Sequence, residues 1–175
     1  MKNIVATLTL FFATAISAQV AIGKTSISSP AVSLEFYDNA DNTRGIILPW
    51  VTSTAAVTGA VNGTIVYNTA DRKVYVKYAS GWRDLSVDTT GTVTTTLQDA
   101  LSDLETAKVL IGGNPDTDTT PGILVLADTD KAMVLPKVAS PHLNIVNPAA
   151  GMMVYDTTSK QLAVFNGTVW SFWKP

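Results

Sequence analysis

Short apolar runs separated by clusters of Asn, Asp, Gly, Ser and Thr dominate this chain, and they are too short and too close for helices. The clearest stretch is 152–173. Met152 to Tyr155 is β-prone, Asp156-Thr-Thr-Ser-Lys160 reads as a polar turn, and Gln161 to Phe165 is β-prone again. Asn166-Gly167 then predicts a two-residue type I′ hairpin turn, which needs positive φ at both positions, before a last run from Thr168 to Trp173. Further upstream the same pattern predicts Thr64–Asn68, Lys73–Tyr78 and Trp82–Leu85, with looser candidates at Val32–Tyr37 and Gly122–Ala127. Leu48-Pro49 and Leu135-Pro136 mark kinks or edge positions, because proline has no N–H for a ladder.

These runs come in two ordered sets. Val20-Ala-Ile-Gly23 recurs as Val109-Leu-Ile-Gly112, Ile46-Ile-Leu-Pro49 as Met133-Val-Leu-Pro136, and Gly63-Thr-Ile-Val-Tyr-Asn-Thr69 as Gly151-Met-Met-Val-Tyr-Asp-Thr157. Val74-Tyr-Val76 answers Leu162-Ala-Val164, and Trp82 answers Trp170. Five matches in order at offsets of 87 to 89 residues make a tandem duplication. The expected fold class is all-β: two tandem β-meander/hairpin repeats joined by a Thr-rich linker and a short amphipathic helix. The expected divisions are 1–18, a signal peptide; 19–86, the first repeat; 87–108, linker and helix; and 109–175, the second repeat. Within the linker, Leu97, Leu101 and Leu104 fall on one side of a helix over Thr95 to Lys108, with a capping box from Thr95 to Gln98. Such a helix either docks on a sheet or forms a short stalk segment between two β-heads.

A two-residue turn at Asn166-Gly167 sets Ala163 opposite Trp170. One face of the hairpin then carries Ala163, Phe165, Trp170 and Phe172, the other Leu162, Val164, Val169 and Trp173. A half-solvated sheet is polar on one side, whereas this one is apolar on both. Covering the second face falls to the sister repeat, to another subunit, or to both, and a contribution from another subunit is expected.

Composition narrows the setting. Lys2, the apolar run Ile4 to Ile16 and the small residues of Ala15-Ile-Ser-Ala18 read as a cleaved secretory leader with Gln19 at the mature terminus. The run is too short for a stable membrane span, which takes about 20 residues. Cleavage removes Lys2 and leaves 11 basic against 14 acidic residues, with no basic patch to suit nucleic acid. Export without a single cysteine leaves packing alone to hold the fold and rules out a lipidated N-terminal cysteine. No integral membrane segment is expected after leader removal.

Candidate chemistry is sparse. His142, in Ser140-Pro-His-Leu-Asn144, is the one histidine, and no nucleophile turn accompanies it. No catalytic residue, no cofactor and no enzymatic activity are expected. The paired carboxylates Asp116 with Asp118 and Asp128 with Asp130 sit in Thr-rich turns, where aspartate commonly bonds its own backbone. Asp116 and Asp118 are weak calcium candidates, with oxygen ligands at alternate positions but neither the glycine nor the distal glutamate of a helix–loop–helix site. Trp82 and Trp170 are equivalent and expected in the core; Trp50, present in one copy only, is the candidate for an exposed ligand contact. Asp-Thr-Thr recurs at 88–90, 118–120 and 156–158 and resembles a bacterial O-glycosylation sequence, which makes Thr89, Thr119 and Thr157 candidate acceptors.

The order of signals resembles a family of bacterial tail-fibre-like surface proteins. Their pattern runs GIGT, a strand, G-x-LLPR, then GMLVYN and a closing YNGTxW hairpin. Ile22-Gly-Lys-Thr25, Gly45-Ile-Ile-Leu-Pro49, Gly63-Thr-Ile-Val-Tyr-Asn68 and Trp82 follow it once. Ile111-Gly112, Met133-Val-Leu-Pro136, Ala150-Gly-Met-Met-Val-Tyr-Asp156 and Phe165-Asn-Gly-Thr-Val-Trp170 follow it again. Trp50 and Lys137 stand where the family has arginine, and no endosialidase-type chaperone domain is expected after Pro175. The resemblance implies self-association, with trimers the usual state. The resulting expectation is an exported structural or adhesive module, oligomeric and fibre-like, at the cell surface, outside the cell or in the periplasm. The alternatives are a carbohydrate- or ligand-binding module, or an accessory subunit of an outer-membrane or secretion assembly. Possible partners are a surface glycan or an outer-membrane protein.

Overall fold

The computed structural model describes residues 19–96, 98–102, 104 and 106–174; the expected signal peptide lies outside them, as do Leu97, Asp103, Glu105 and Pro175. The chain is nearly all β, and its elements repeat in order. The first copy comprises β1 (Val20–Ile22), β2 (Val32–Phe36), β3 (Ile46–Ile47), β4 (Trp50–Val51), a 3-10 turn at Thr54–Ala56, β5 (Ile65–Asn68), β6 (Lys73–Tyr78) and β7 (Gly81–Asp84). The second comprises β8 (Val109–Ile111), β9 (Leu124–Leu126), β10 (Ala132–Val134), β11 (Lys137–Val138), the one-turn helix α1 (Pro141–Asn144), β12 (Met152–Asp156), β13 (Gln161–Phe165) and β14 (Trp170–Trp173).

Each copy opens with a parallel, solenoid-like pair, β1 with β2 and β8 with β9. Each closes with an antiparallel meander entered by a short parallel strand, in the orders β4-β5-β6-β7 and β11-β12-β13-β14. The prolines act alike in both. Pro49 C=O accepts from Tyr67 N–H, and Pro136 C=O from Tyr155 N–H, both at 2.9 Å, while the missing proline N–H ends the preceding strand. Two pairings cross between copies: β3 runs antiparallel to β12, and β10 runs parallel to β2.

The copies share one core. Leu48, Tyr67, Val74 and Leu85 of the first pack against Ala150, Met153 and Val164 of the second, flanked by Leu162 and Trp173. A smaller cluster, Val138, Ile145, Val154 and Ala163 with Met152 and Trp170, fills the other side of the second meander beneath α1 and its following loop. Both faces of the last hairpin thus meet partners within the chain. The sister repeat takes most of one face and the α1 segment part of the other, while Phe172 stays 39 % exposed, an area left for another subunit to cover.

The hairpin register also differs from expectation. Phe165 pairs with Trp170 and Ala163 with Phe172, so the loop is Asn166–Val169 rather than two residues. Asn166 is the cause. Its fully buried amide Oδ1 accepts from Thr168 N–H at 2.9 Å and Val169 N–H at 2.8 Å, which opens the turn, and only Gly167 takes positive φ. The slip is an even number of residues, so every side chain still in a strand keeps its expected face, and Val169 passes into the loop. The second face includes Ser171, whose hydroxyl donates to Ser86 C=O.

No helix forms over 95–108 among the described residues. Isolated turns occur there instead, such as Gln98 N–H to Thr95 C=O and Ala107 N–H to Leu104 C=O. Leu101 and Leu104 are exposed, so the apolar stripe has no surface to bury against, and a helix this short does not hold by itself. Farther upstream the linker follows the last hairpin: Thr92 Oγ1 donates to Gly167 C=O and Thr168 Oγ1 to Thr90 C=O, both at 2.9 Å.

Candidate functional site

Of the residues singled out in the sequence, Trp50 turns inward. Its indole N–H donates to Ala150 C=O at 2.9 Å, and its half-buried ring tilts against Tyr67 with centroids 6.2 Å apart. The expected exposed contact is instead a strut between copies, because Leu-Pro-Trp brings the side chain over the shared core. Tyr67 acts alike: fully buried, it donates its hydroxyl to Asn166 C=O at 2.8 Å, and burial pushes its pKa up to about 12.

Asp118 is already engaged. It pairs with Lys108 and accepts from Thr120 N–H at 3.0 Å, and the Lys108 ammonium leads the effects that hold its carboxyl below the usual range. Asp116 is exposed, and its N–H is taken up by Asn114 Oδ1. No group of three or more metal-ligating side chains occurs among the described residues. The three Asp-Thr-Thr triplets fold alike. Asp88, Asp118 and Asp156 each accept from the N–H two residues on, which turns Thr89, Thr119 and Thr157 outward into solvent. His142 lies exposed on α1, edge-on to Phe172 at 5.7 Å between centroids.

Charged groups tie the copies together at the parallel end. Asp38 takes Lys24 at 3.0 Å and, across the repeat boundary, Lys137 at 3.3 Å; the Lys24 bond leads in holding its carboxyl below the ordinary range. Glu35 on β2 is fully buried, and burial raises its pKa. Ser28 N–H at 2.6 Å and the Lys24 ammonium, 3.1 Å from Oε1, outweigh that and leave it lowered. Asp128, at the place of Asp38 in the second copy, accepts from Ser33 of the first at 2.9 Å.

The feature that sequence reasoning missed is an open strand edge. Val20 pairs with Leu34, and its counterpart Val109 pairs with Leu124, which makes Leu34 and Leu124 equivalent, then Glu35 and Val125, then Phe36 and Leu126. Among the described residues β2 is flanked by β1 and β10, but β9 by β8 alone. Leu34 is accordingly 1 % exposed and Leu124 48 %, with Val109 and Ile123 exposed beside it. Tyr67 is likewise shut off, while its counterpart Tyr155 stays 36 % exposed. The signal was present in the apolar run Ile123-Leu-Val-Leu126, but not the information that the matching run in the other copy has two neighbours.

By its architecture the chain is a duplicated all-β module that, among the described residues, leaves the backbone edge of β9 open. Residues 112–174, the second copy without its first strand, match a family model described as a phage tail like trimerisation region. The match supports an oligomeric, fibre-like structural module. No match is found among curated proteins or among solved structures. No helix among the described residues is long and apolar enough to cross a membrane.

Proposed function

We propose that this protein is an exported, non-catalytic building block of a fibre-like surface assembly, and that it works as a trimer. The observation that carries this is the likeness of residues 112–174 to a phage tail like trimerisation region. The second copy supplies a reason to associate: an apolar strand edge that costs free energy in water and invites another chain. The leader-like Met1 to Ala18 supports export. An adhesive role fits a module that presents Thr-rich turns, and the outward Thr89, Thr119 and Thr157 are its candidate glycan positions. Sedimentation equilibrium of residues 19–175 at micromolar concentration is expected to give three times the chain mass; a monomer throughout that range overturns the proposal. The intact mass of native protein tests the glycans, since a mass equal to the bare polypeptide removes them.

A further inference from the structure

The two copies obey the same rules inside each unit, but each rule between units is used once. The third strand of copy two, β10, docks on the second strand of copy one, β2, with Met133 opposite Leu34 and Val134 opposite Glu35. The third strand of copy one, β3, has no such partner among the described residues; one edge pairs with β12, and Ile47 stands 56 % exposed. The equivalent landing strand, β9, is open. One chain thus offers a strand without a landing site at one end and a landing site without a strand at the other.

The backbone groups on the two edges are complementary. Leu48 N–H bonds Gly151 C=O, and antiparallel pairing alternates, so the N–H and C=O of Ile47 point away from β12. On β9, Val109 N–H bonds Ile123 C=O and Ala127 N–H bonds Ile111 C=O. The odd-numbered residues therefore face β8, and Leu124 and Leu126 turn their N–H and C=O to the open edge. Sequence equivalence matches Ile46 to Met133 and Ile47 to Val134. Transferred to β9, the β10–β2 register puts Ile46 opposite Leu124 and Ile47 opposite Val125. In that register Ile47 N–H meets Leu124 C=O, and Leu126 N–H meets Ile47 C=O. Both open edges are satisfied, with apolar side chains on each.

We propose that β3 of a second copy of this chain docks in parallel on the open edge of β9, with Ile46 opposite Leu124 and Ile47 opposite Val125. The rule that sets β3 on β12 then brings β10 of the first chain against β5 of the second, Met133 facing Ile65 and Val134 facing Thr64. This is strand addition in which the donor and acceptor surfaces differ, so it propagates from chain to chain and ends only where the rotation closes a ring. It deepens the trimer reading above and rests on it for the occupant being another copy.

The native chain has no cysteine, which makes the test direct. Ile47→Cys protein is mixed with separately tagged Val125→Cys protein and treated with a short bis-maleimide. A cross-linked pair is expected from the mixture and not from either variant alone. Ile47→Lys places its charge on an exposed position of the single chain but inside the docked interface, so association is expected to weaken at least tenfold with the circular dichroism spectrum unchanged. An oligomer that yields no cross-link from the mixture, or that Ile47→Lys leaves intact, overturns the docking while the trimer reading stands. A wild-type monomer overturns both.

Discussion

Strand two of the first copy and strand two of the second hold equivalent places in their repeats, yet their environments are opposite. β2 is enclosed by β1 and β10, with Leu34 and Glu35 fully out of solvent, whereas β9 is paired on one side and leaves Leu124 half in water. The same holds one sheet further on, where Tyr67 is sealed against the sister hairpin and Tyr155 is not. A duplicated sequence does not give duplicated surroundings. Two units with directional contacts always leave one of each contact unsatisfied, as the terminal units of a repeat array do.

The sharpest way to break this comparison is at the tyrosines. Tyr67→Ala removes a sealed ring and is expected to cost about 4 kcal/mol in urea unfolding of the dilute chain, against about 1 kcal/mol for Tyr155→Ala. Equal losses would mean that the second copy is as enclosed as the first. Leu34→Ala should cost about 3 kcal/mol and Leu124→Ala less than half of that. Repeating the pair at concentrations where the protein is assembled should close the gap, and a gap that persists would place β9 outside any interface.

The turns sharpen the contrast. A Cβ at Gly167 would strike the Thr92 carbonyl, whereas Gly81 in the corresponding turn has open space around it; both take positive φ. Each alanine variant pays about 1 kcal/mol for the left-handed backbone. Gly167→Ala should lose about 1–3 kcal/mol more through forced displacement of the linker. Similar melting temperatures for the two variants would mean that the linker does not lie on the last hairpin.

The smallest expected effect concerns acid. Burial raises the pKa of Asp156, but backbone N–H bonds led by Ser140, with Ser159 and Thr158, outweigh it and hold the carboxyl below its ordinary value. A depressed folded pKa contributes stability above the unfolded value near 4, and that contribution disappears as pH falls through the folded value. The counterpart in copy one is Asn68, which does not titrate and accepts from Ala70 N–H. Asp156→Asn should therefore flatten the loss of stability below pH ~4, by about 1 kcal/mol or less. An unchanged acid limb would shift the cause to the other carboxyls held below their ordinary values, Asp38 and Glu35 among them.

The sequence by itself determined the strands of the two meanders, the second strand of each copy, the duplication and the side-chain faces of the last hairpin, because period-two alternation and ordered repeats are local facts that survive even a slipped hairpin register. Short strands such as β3, β4, β10 and β11 were legible only as repeated motifs. It also separated the two prolines that end strands from the runs around them. Only the tertiary structure decided that Trp50 is a strut, that the Leu101 and Leu104 stripe finds no partner, and that Asn166 opens its turn by capping two N–H groups. It alone placed β10 on β2 and left β9 bare. Which neighbour a strand acquires depends on how two whole units meet, and the runs around Leu34 and Leu124, which share that leucine but differ at Ser33/Ile123 and Glu35/Val125, do not by themselves say which one will be at the end of the array.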